Sequence, residues 1–451
     1  MYNFEIMKIN SIAIVGYGIT GRAAIEYFTK IGAQKIHVYE SNPESKFDAA
    51  ILKGHRDSGA VFHFESNTAD NVTEYDMVMA SPGCHLDIQI IADAIKNGVR
   101  VCNDVSYFVN FWHEIGPVVG VTGSNGKSTT VSLIEHVLNS IGKKNILVGN
   151  IGNSPLPELL QKHAPGTVAI MELSSYQLEL FQPEHFVDIG VIMNLTENHL
   201  DRYHGEMDLY ADAKLRIASP DKTDLILVAD DSGTQKYVMP KVNKKKVTAI
   251  SLSNLSPESE QFADPDGRAL KGEHNLYNIA IVVEVLKKLD IEIDERVAHA
   301  ICEYSGLEHR IEFVRKLDGV TYINDSKSTS VDSMRVALEA HGDDKNIVLI
   351  AGGSDKGGSF APVSDYFNKF VKFVVITTGY DTTTKKVKDL AEKNGIETVT
   401  ADSLDDAVQL ARERAVSGDT VLLSPGGGHV LHMENFMVVG MTFKNIVNNL
   451  S

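Results

Sequence analysis

Short apolar runs, each followed by a segment with helical spacing, recur along almost the whole chain. In the first hundred residues the runs stand at 11–15, 36–39, 61–64, 77–80 and 100–102, with helix-like stretches at 21–31 and 88–97. Runs this short and this apolar are strands covered on both faces. Helices between them impose parallel pairing, because parallel neighbours need a long crossover. The rhythm restarts at 117–121 and continues at 168–172, 189–194 and 225–229. A polar surface loop, 253–268, carries Pro257, Pro265 and Gly267, and helical signal returns at 274–289. After Leu307 a third set of strands is expected at 320–323, 347–351, 373–377 and 420–424. The fold class is therefore α/β. At about 150 residues per domain, a chain of 451 residues accommodates three such domains, and we place their boundaries near residues 105 and 306.

Charge and cysteine content narrow the partners. Lys and Arg total 43 against 60 Asp and Glu, a formal charge of -17. So acidic a surface argues against nucleic acid and anionic membranes, which both attract a basic footprint. It leaves room for phosphate ligands, which need only a few local donors. Cys84, Cys102 and Cys302 are too few and too scattered for a zinc site or a disulfide framework, and suit a reducing cytosol. No stretch approaches the ~18 apolar residues of a membrane helix. The first ten residues carry an early glutamate and no apolar core, unlike a secretory signal. The expected location is cytoplasmic. Lys244-Lys245-Lys246 reads as a solvated turn.

Two glycine loops follow strands. Gly16-Tyr17-Gly18-Ile19-Thr20-Gly21 opens a helix, and Glu40 ends the next strand about twenty residues on. Alone, this pattern fits a dinucleotide site with the acid on a ribose hydroxyl, another nucleotide, or a plain tight turn. The second loop, Gly120-Val121-Thr122-Gly123-Ser124-Asn125-Gly126-Lys127-Ser128-Thr129, is stronger. Its spacing departs from GxxxxGK[ST], since Val121 stands where the first glycine belongs. Its backbone N–H groups can still wrap phosphate oxygens, with Lys127 on the β- and γ-phosphates of ATP and the Ser128 hydroxyl on Mg²⁺. The central domain is thus P-loop ATPase-like and the flanking ones Rossmann-like. A nicotinamide enzyme has no use for this second site; an ATP enzyme whose substrate is itself a nucleotide needs both.

Downstream groups collect at strand ends, where parallel sheets present ligands. Glu172 ends a strand, and Asn194-Leu195-Thr196-Glu197-Asn198-His199-Leu200-Asp201-Arg202-Tyr203 ends another with carboxylates around a histidine. With Lys127 and Ser128, these oxygen donors and His199 suit Mg²⁺. Lys214 lies in a helical stretch, where spacing alone leaves a plain exposed lysine equally open. Asn275 and Asn278 begin another helix and could hold an adenine edge or cap the helix. The third segment adds Gly306-Leu307-Glu308-His309-Arg310, Asn324-Asp325-Ser326-Lys327-Ser328-Thr329, Ala351-Gly352-Gly353-Ser354-Asp355-Lys356 and Ser424-Pro425-Gly426-Gly427-Gly428-His429.

With these motifs the chain resembles the Mur ligases, ATP-dependent amide-forming enzymes of peptidoglycan synthesis, over essentially its whole length. Gly306-Leu307-x-His309-Arg310 with Asp325-Ser326-Lys327 points to the D-glutamate-adding branch. The resemblance implies UDP rather than NAD in the first domain. Gly18, Ile19 and Thr20 would meet the diphosphate, Ser41 and Asn42 would lie near the uridine, and Gly83, Asn150 and His199 would contact the sugar-nucleotide. It implies ATP contacts from Gly123, Ser124, Asn125, Gly126, Lys127, Ser128, Thr129, Asn275, Asn278, Arg310 and Asp325. Magnesium would be held by Ser128, Glu172, His199 and Lys214, the last as a carbamate, which turns a cation into a metal-binding carboxylate. Catalytic roles fall to Lys127, Glu172, His199, Lys214 and Lys327. The amino acid would meet Thr329, Lys356, His429, Val430 and Phe436. One region departs: the family's Ser-Pro-Ala-Cys-Ala-Ser reads Ser424-Pro425-Gly426-Gly427-Gly428-His429 here. His429 thus replaces the serine that helps hold the glutamate side chain.

The implied substrates are UDP-N-acetylmuramoyl-L-alanine and D-glutamate, with ATP and Mg²⁺. The chain is expected to act as a monomer without nucleic-acid or membrane partners. Because of His429, a ligase of the same type that adds another amino acid, such as L-glutamate, is the first alternative. An NAD-dependent oxidoreductase would leave the second loop unused. A folylpolyglutamate-synthetase-like ligase lacks a UDP-binding first domain. A non-catalytic nucleotide sensor has no need of Lys127, Glu172 and His199.

Overall fold

The computed structural model describes residues 9–451, apart from 152–153, 197–201, 244–245, 265–266, 271, 330, 355–359, 361–362 and 429. The chain divides into two compact units, Met1–Tyr304 and Ser305–Ser451.

The first unit holds two parallel sheets. The first comprises β1 (Ser11–Val15), β2 (Lys35–Glu40), β3 (Ala60–Phe64), β4 (Met77–Ala80) and β5 (Arg100–Cys102), in the order β3-β2-β1-β4-β5. The second comprises β6 (Val118–Thr122), β7 (Asn145–Gly149), β8 (Val168–Glu172), β9 (Ile189–Ile192), β10 (Asp224–Val228) and β11 (Val247–Ile250), in the order β11-β10-β9-β6-β8-β7. Each sheet has apolar clusters on both faces. Ile12, Ile14 and Val38 pack with the helix Ile19–Lys30 on one face of the first sheet, and Ala13, Val15 and Tyr39 face the other way. That two-sided burial is why these strands read as unbroken apolar runs.

The second unit has β12 (Glu312–Leu317), β13 (Val320–Asn324), β14 (Ile347–Gly352), β15 (Val371–Thr377), β16 (Glu397–Ala401) and β17 (Thr420–Gly426), in the order β12-β13-β17-β14-β15-β16. All neighbours are parallel except β12 and β13, which form a hairpin. Its turn is Asp318-Gly319, with φ of +52° and +81°. Positive φ at both central residues is the turn that matches strand twist, and it favours a glycine.

The sequence rhythm missed four strands, β7, β11, β12 and β16, and every one is a sheet edge. Edge strands face solvent on one side, so polar residues such as Asn145, Thr248, Arg315 and Thr398 dilute the apolar run. The stretch 253–268, expected as loop alone, contains the one-turn helix Pro257–Glu260. Among the described residues, no helix is long and apolar enough to cross a membrane.

Candidate functional site

The strand orders set where ligands can approach. In the first sheet the order reverses between β1 and β4, and a crevice opens at the carboxyl ends there. The loop after β1 passes Gly16 into the helix Ile19–Lys30, with Gly18 as its N-cap. Ile19 is exposed, and the Thr20 hydroxyl donates to Asp104 Oδ2 at 3.2 Å. Gly83 lies in the turn after β4.

Glu40, the acid of the first loop's pattern, is engaged by donors within the chain. Its Oε2 accepts from the Tyr17 N–H at 2.8 Å, and its Oε1 from the Asn42 N–H at 2.8 Å and the Asn42 amide at 2.7 Å. Burial raises the pKa of this carboxyl, but the Asn42 and Tyr17 donors outweigh it and hold it below the ordinary value. The acid that a dinucleotide fingerprint would aim at a ribose is occupied within the loops themselves. Ser41 and Asn42 are ordered beside it, with the Ser41 hydroxyl 3.4 Å from Oε1.

In the central sheet, three loops converge after β6, β8 and β9. Gly126 caps the helix Lys127–Ser140 with φ +85°, and a Cβ there would stand 2.5 Å from Met193 Cε and 3.0 Å from Asn278 Oδ1. Only glycine fits both the conformation and the space. The loop is pinned from outside: Asn125 N–H donates to Asn194 Oδ1 at 2.9 Å, and Ser124 N–H to the Asn194 carbonyl at 2.8 Å. Lys127 Nζ donates to the Gly123 and Ser124 carbonyls, each at 2.9 Å. Ser128 is buried and Thr129 half-buried. Asn278, on the helix Glu273–Lys288, accepts from the Thr130 hydroxyl at 3.4 Å and donates to Asn275 Oδ1 at 2.8 Å. The fold thereby brings Asn275 and Asn278, some 150 residues downstream, to the phosphate loop.

Two buried charges complete this centre. Glu172 ends β8, 3 % exposed. Its Oε1 accepts from the Asn150 amide at 2.7 Å, while Oε2 is buried with no hydrogen-bond partner among the described residues. An orphaned buried carboxylate oxygen is costly unless a cation meets it. Lys214, on the helix Met207–Leu215, is 2 % exposed; its Nζ donates to the Gly123 carbonyl at 2.9 Å and lies 3.3 Å from the Thr122 hydroxyl. Burial first, and the Lys127 charge second, drive its pKa well below the ordinary lysine value. A plain exposed helix lysine, which the spacing alone left open, is not what the fold makes of Lys214. Among the described residues no three His, Cys, Asp or Glu side chains cluster as a metal site. A divalent cation here would draw on Glu172, on the Ser128 hydroxyl and on phosphate oxygens, a donor set that fits hard Mg²⁺. His199 lies outside the described residues.

In the second unit, Asp325 follows β13 and is 3 % exposed. It accepts from the Ser424 hydroxyl at 2.8 Å and the Ile311 N–H at 3.2 Å. Burial pushes its carboxyl up to about 7, against the opposing pull of Ser424 and Arg310. The Lys327 ammonium lies 5.8 Å from the ring centroid of Phe436, which begins the helix Phe436–Asn448. Thr329 N–H donates to the Lys327 carbonyl at 2.8 Å. Val430 points into the core at 2 % exposure, which leaves its backbone as the part able to meet a ligand. Lys356 and His429 lie outside the described residues. Sequence reasoning passed over Asp104 and Glu179, and it gave Asn194 no part in the phosphate loop, because their partners are distant in sequence.

The chain matches three family models: the Mur ligase MurD-like N-terminal domain over residues 10–103, the Mur ligase middle domain over 121–286, and the Mur ligase glutamate ligase domain over 309–427. It belongs to the Mur ligase family. Among its curated relatives, UDP-N-acetylmuramoylalanine--D-glutamate ligase of Clostridioides difficile (strain 630) is 32% identical, covering 98% of this chain and 99% of that protein. The enzyme of the same name from Chlorobium limicola is 35% identical over 96% and 97%. Of solved structures, UDP-N-acetylmuramate-alanine ligase MurC from Thermotoga maritima superposes with a TM-score of 0.56 at 21% identity, covering 97% of this chain and 99% of that one. MurF ligase from Thermotoga maritima in complex with ADP gives 0.54 at 14%, covering 92% and 96%. At those identities the likeness is one of fold.

Proposed function

We propose that this chain is an ATP-dependent ligase that joins D-glutamate to UDP-N-acetylmuramoyl-L-alanine in the cytoplasm, as a monomer acting on small molecules. The observation that carries the reading is the centre at the ends of β6 and β8. There a glycine loop, the Lys127 ammonium, a Glu172 carboxylate oxygen without a partner among the described residues and the buried amine of Lys214 stand together. The family models and the D-glutamate-ligase relatives support the substrate pair. Three domains carry the work, 1–105 for the UDP end, 106–306 for ATP and 307–451 for the amino acid.

A carboxylate is a poor acyl donor, so the alanyl carboxylate oxygen first attacks the γ-phosphorus of ATP. The β–γ bridge bond breaks, ADP leaves and an acyl phosphate remains. The amine of D-glutamate then attacks the acyl carbon through a tetrahedral intermediate. The carbon–oxygen bond to phosphate breaks, the nitrogen gives up its proton, and an amide and inorganic phosphate result. Lys127 and the loop N–H groups stabilise charge on the transferring phosphoryl group. Asn275 and Asn278, with Arg310 and Asp325, hold the nucleotide. Ser128, Glu172, His199 and Lys214 as its carbamate would hold Mg²⁺, which would supply further charge neutralisation at the phosphates. Lys214 suits that modification, because an uncharged amine is the form that adds carbon dioxide. Lys327, Thr329, Lys356, His429, Val430 and Phe436 serve the incoming amino acid.

The test is phosphate release with UDP-N-acetylmuramoyl-L-alanine, ATP and a panel of D- and L-amino acids. D-Glutamate is expected to give the highest kcat/KM. Release that does not depend on the UDP acceptor would overturn the reading, and a preference for another amino acid would reassign the His429 pocket.

A further inference from the structure

Arg202 joins the ligand loops of the two sheets in the first unit, a role that neither the motifs nor the proposed chemistry uses. Its Nε lies 2.9 Å and 3.2 Å from the two carboxylate oxygens of Glu179, and its Nη2 lies 2.6 Å from Oε2. The same Nη2 donates to the backbone carbonyl of Cys84 at 2.8 Å, and the guanidinium stands 4.6 Å from the Tyr176 ring centroid. Both charged side chains are withdrawn from water, at 7% and 12% exposure.

Each end of this bridge leads to a ligand loop. Cys84 directly follows Ser81-Pro82-Gly83 after β4, and the Ser81 hydroxyl donates to the Gly16 carbonyl at 3.3 Å, which links this turn to the first glycine loop. Glu179 follows the short helix Ser175–Leu178 that leads on from Glu172, and its carbonyl accepts from Arg216 just beyond the Lys214 helix. A planar guanidinium can meet a carboxylate on one edge and a carbonyl on another; an ammonium cannot hold both in fixed geometry.

We propose that the Arg202–Glu179 pair is a positioning device that ties the nucleotide turn at Gly83 to the phosphoryl-transfer centre, so that the UDP end and the reacting end of one long acceptor are held at a fixed separation. A misplacement of about 1 Å at the reacting end is enough to cost on the order of a hundred-fold in rate. This inference rests on the proposed ligase function.

The experiment compares wild type with Arg202→Lys and Glu179→Gln, reading steady-state kinetics and amide hydrogen exchange on the full chain. Each variant is expected to raise the KM for the UDP acceptor about ten-fold and to leave the KM for ATP within about two-fold. The double variant is expected to be no worse than either single one, because the pair acts as a unit. Amides of residues 81–84 are expected to exchange several-fold faster in both variants, while those of the helix Lys127–Ser140 stay unchanged. An unchanged acceptor KM in folded variants, or an equal rise for ATP and acceptor, overturns the proposal. If wild type itself fails to turn over, the function falls instead, and the exchange data still decide whether Arg202 restrains the turn.

Discussion

The Nζ of Lys214 donates to the carbonyl oxygen of Gly123 at 2.9 Å, across 91 residues of sequence. This contact places a buried lysine beneath the phosphate loop, next to a second lysine, Lys127, whose charge it must tolerate. Low dielectric and a like charge both favour the neutral amine. Replacing Lys214 by Ala should reduce turnover by at least about a hundred-fold, the scale of losing one preorganised electrostatic group. Small carboxylic acids added to the assay should restore part of it by occupying the vacated space. A variant that is fully active without additives would show that Lys214 has no part in the chemistry.

Lys127→Ala removes the ammonium that spans the loop carbonyls of Gly123 and Ser124. Phosphoryl transfer is expected to fall by about 10²–10³ or more, with the circular dichroism spectrum unchanged because the loop is also pinned by Asn194. Turnover near that of wild type would remove the ATP assignment.

Asp325 makes stability depend on pH. Its folded value, about 7, lies above the ordinary 3.8, so between those values the folded chain retains a proton that the unfolded chain releases. Its contribution is therefore full below about pH 4 and is lost as pH rises towards 7, with a slope of at most about 1.4 kcal/mol per pH unit. Asp325→Asn should flatten that part of the profile. Unfolding midpoints at pH 5 and pH 7.5 for both chains check it; equal differences in the two would refute it.

Glu40→Gln leaves shape intact but turns one of two acceptor oxygens into a donor that faces Tyr17 N–H or the Asn42 donors. Leaving such buried donors unmatched costs about 1–3 kcal/mol. Binding of UDP, measured by calorimetry, should weaken by about ten-fold or more, with little change in the ATP affinity of the central loop.

His429→Ser puts in place the serine that the resemblance to the Mur ligases implies at that position. The expected outcome is a lower KM for D-glutamate, read from phosphate release at saturating acceptor. No change for any amino acid would mark His429 as neutral.

Much of the fold was legible because central strands buried on both faces write themselves as apolar runs. The four strands that escaped, β7, β11, β12 and β16, are edges, where half of each strand answers to water rather than to the core. Of the candidate site, the phosphate loop was legible because its glycines, Lys127 and Ser128 act within one turn of chain. The partners that complete it were not. Asn278 beside Gly126, Asn194 against Asn125 and Arg202 on the carbonyl of Cys84 have no local signature, because each is made by tertiary packing across about 70 to 150 residues.

The sequence by itself determined the α/β class, the two glycine loops and the family, since all of these rest on local periodicity and on residues acting within a few positions of each other. Only the tertiary structure decided what the isolated acids and lysines became. It engaged Glu40 with the N–H groups of Tyr17 and Asn42, left one oxygen of Glu172 without a hydrogen-bond partner among the described residues, and buried Lys214 where its charged form is disfavoured. Protonation and hydrogen-bond satisfaction depend on which groups surround an atom in space, and on how far water is excluded from it. Chain order carries neither.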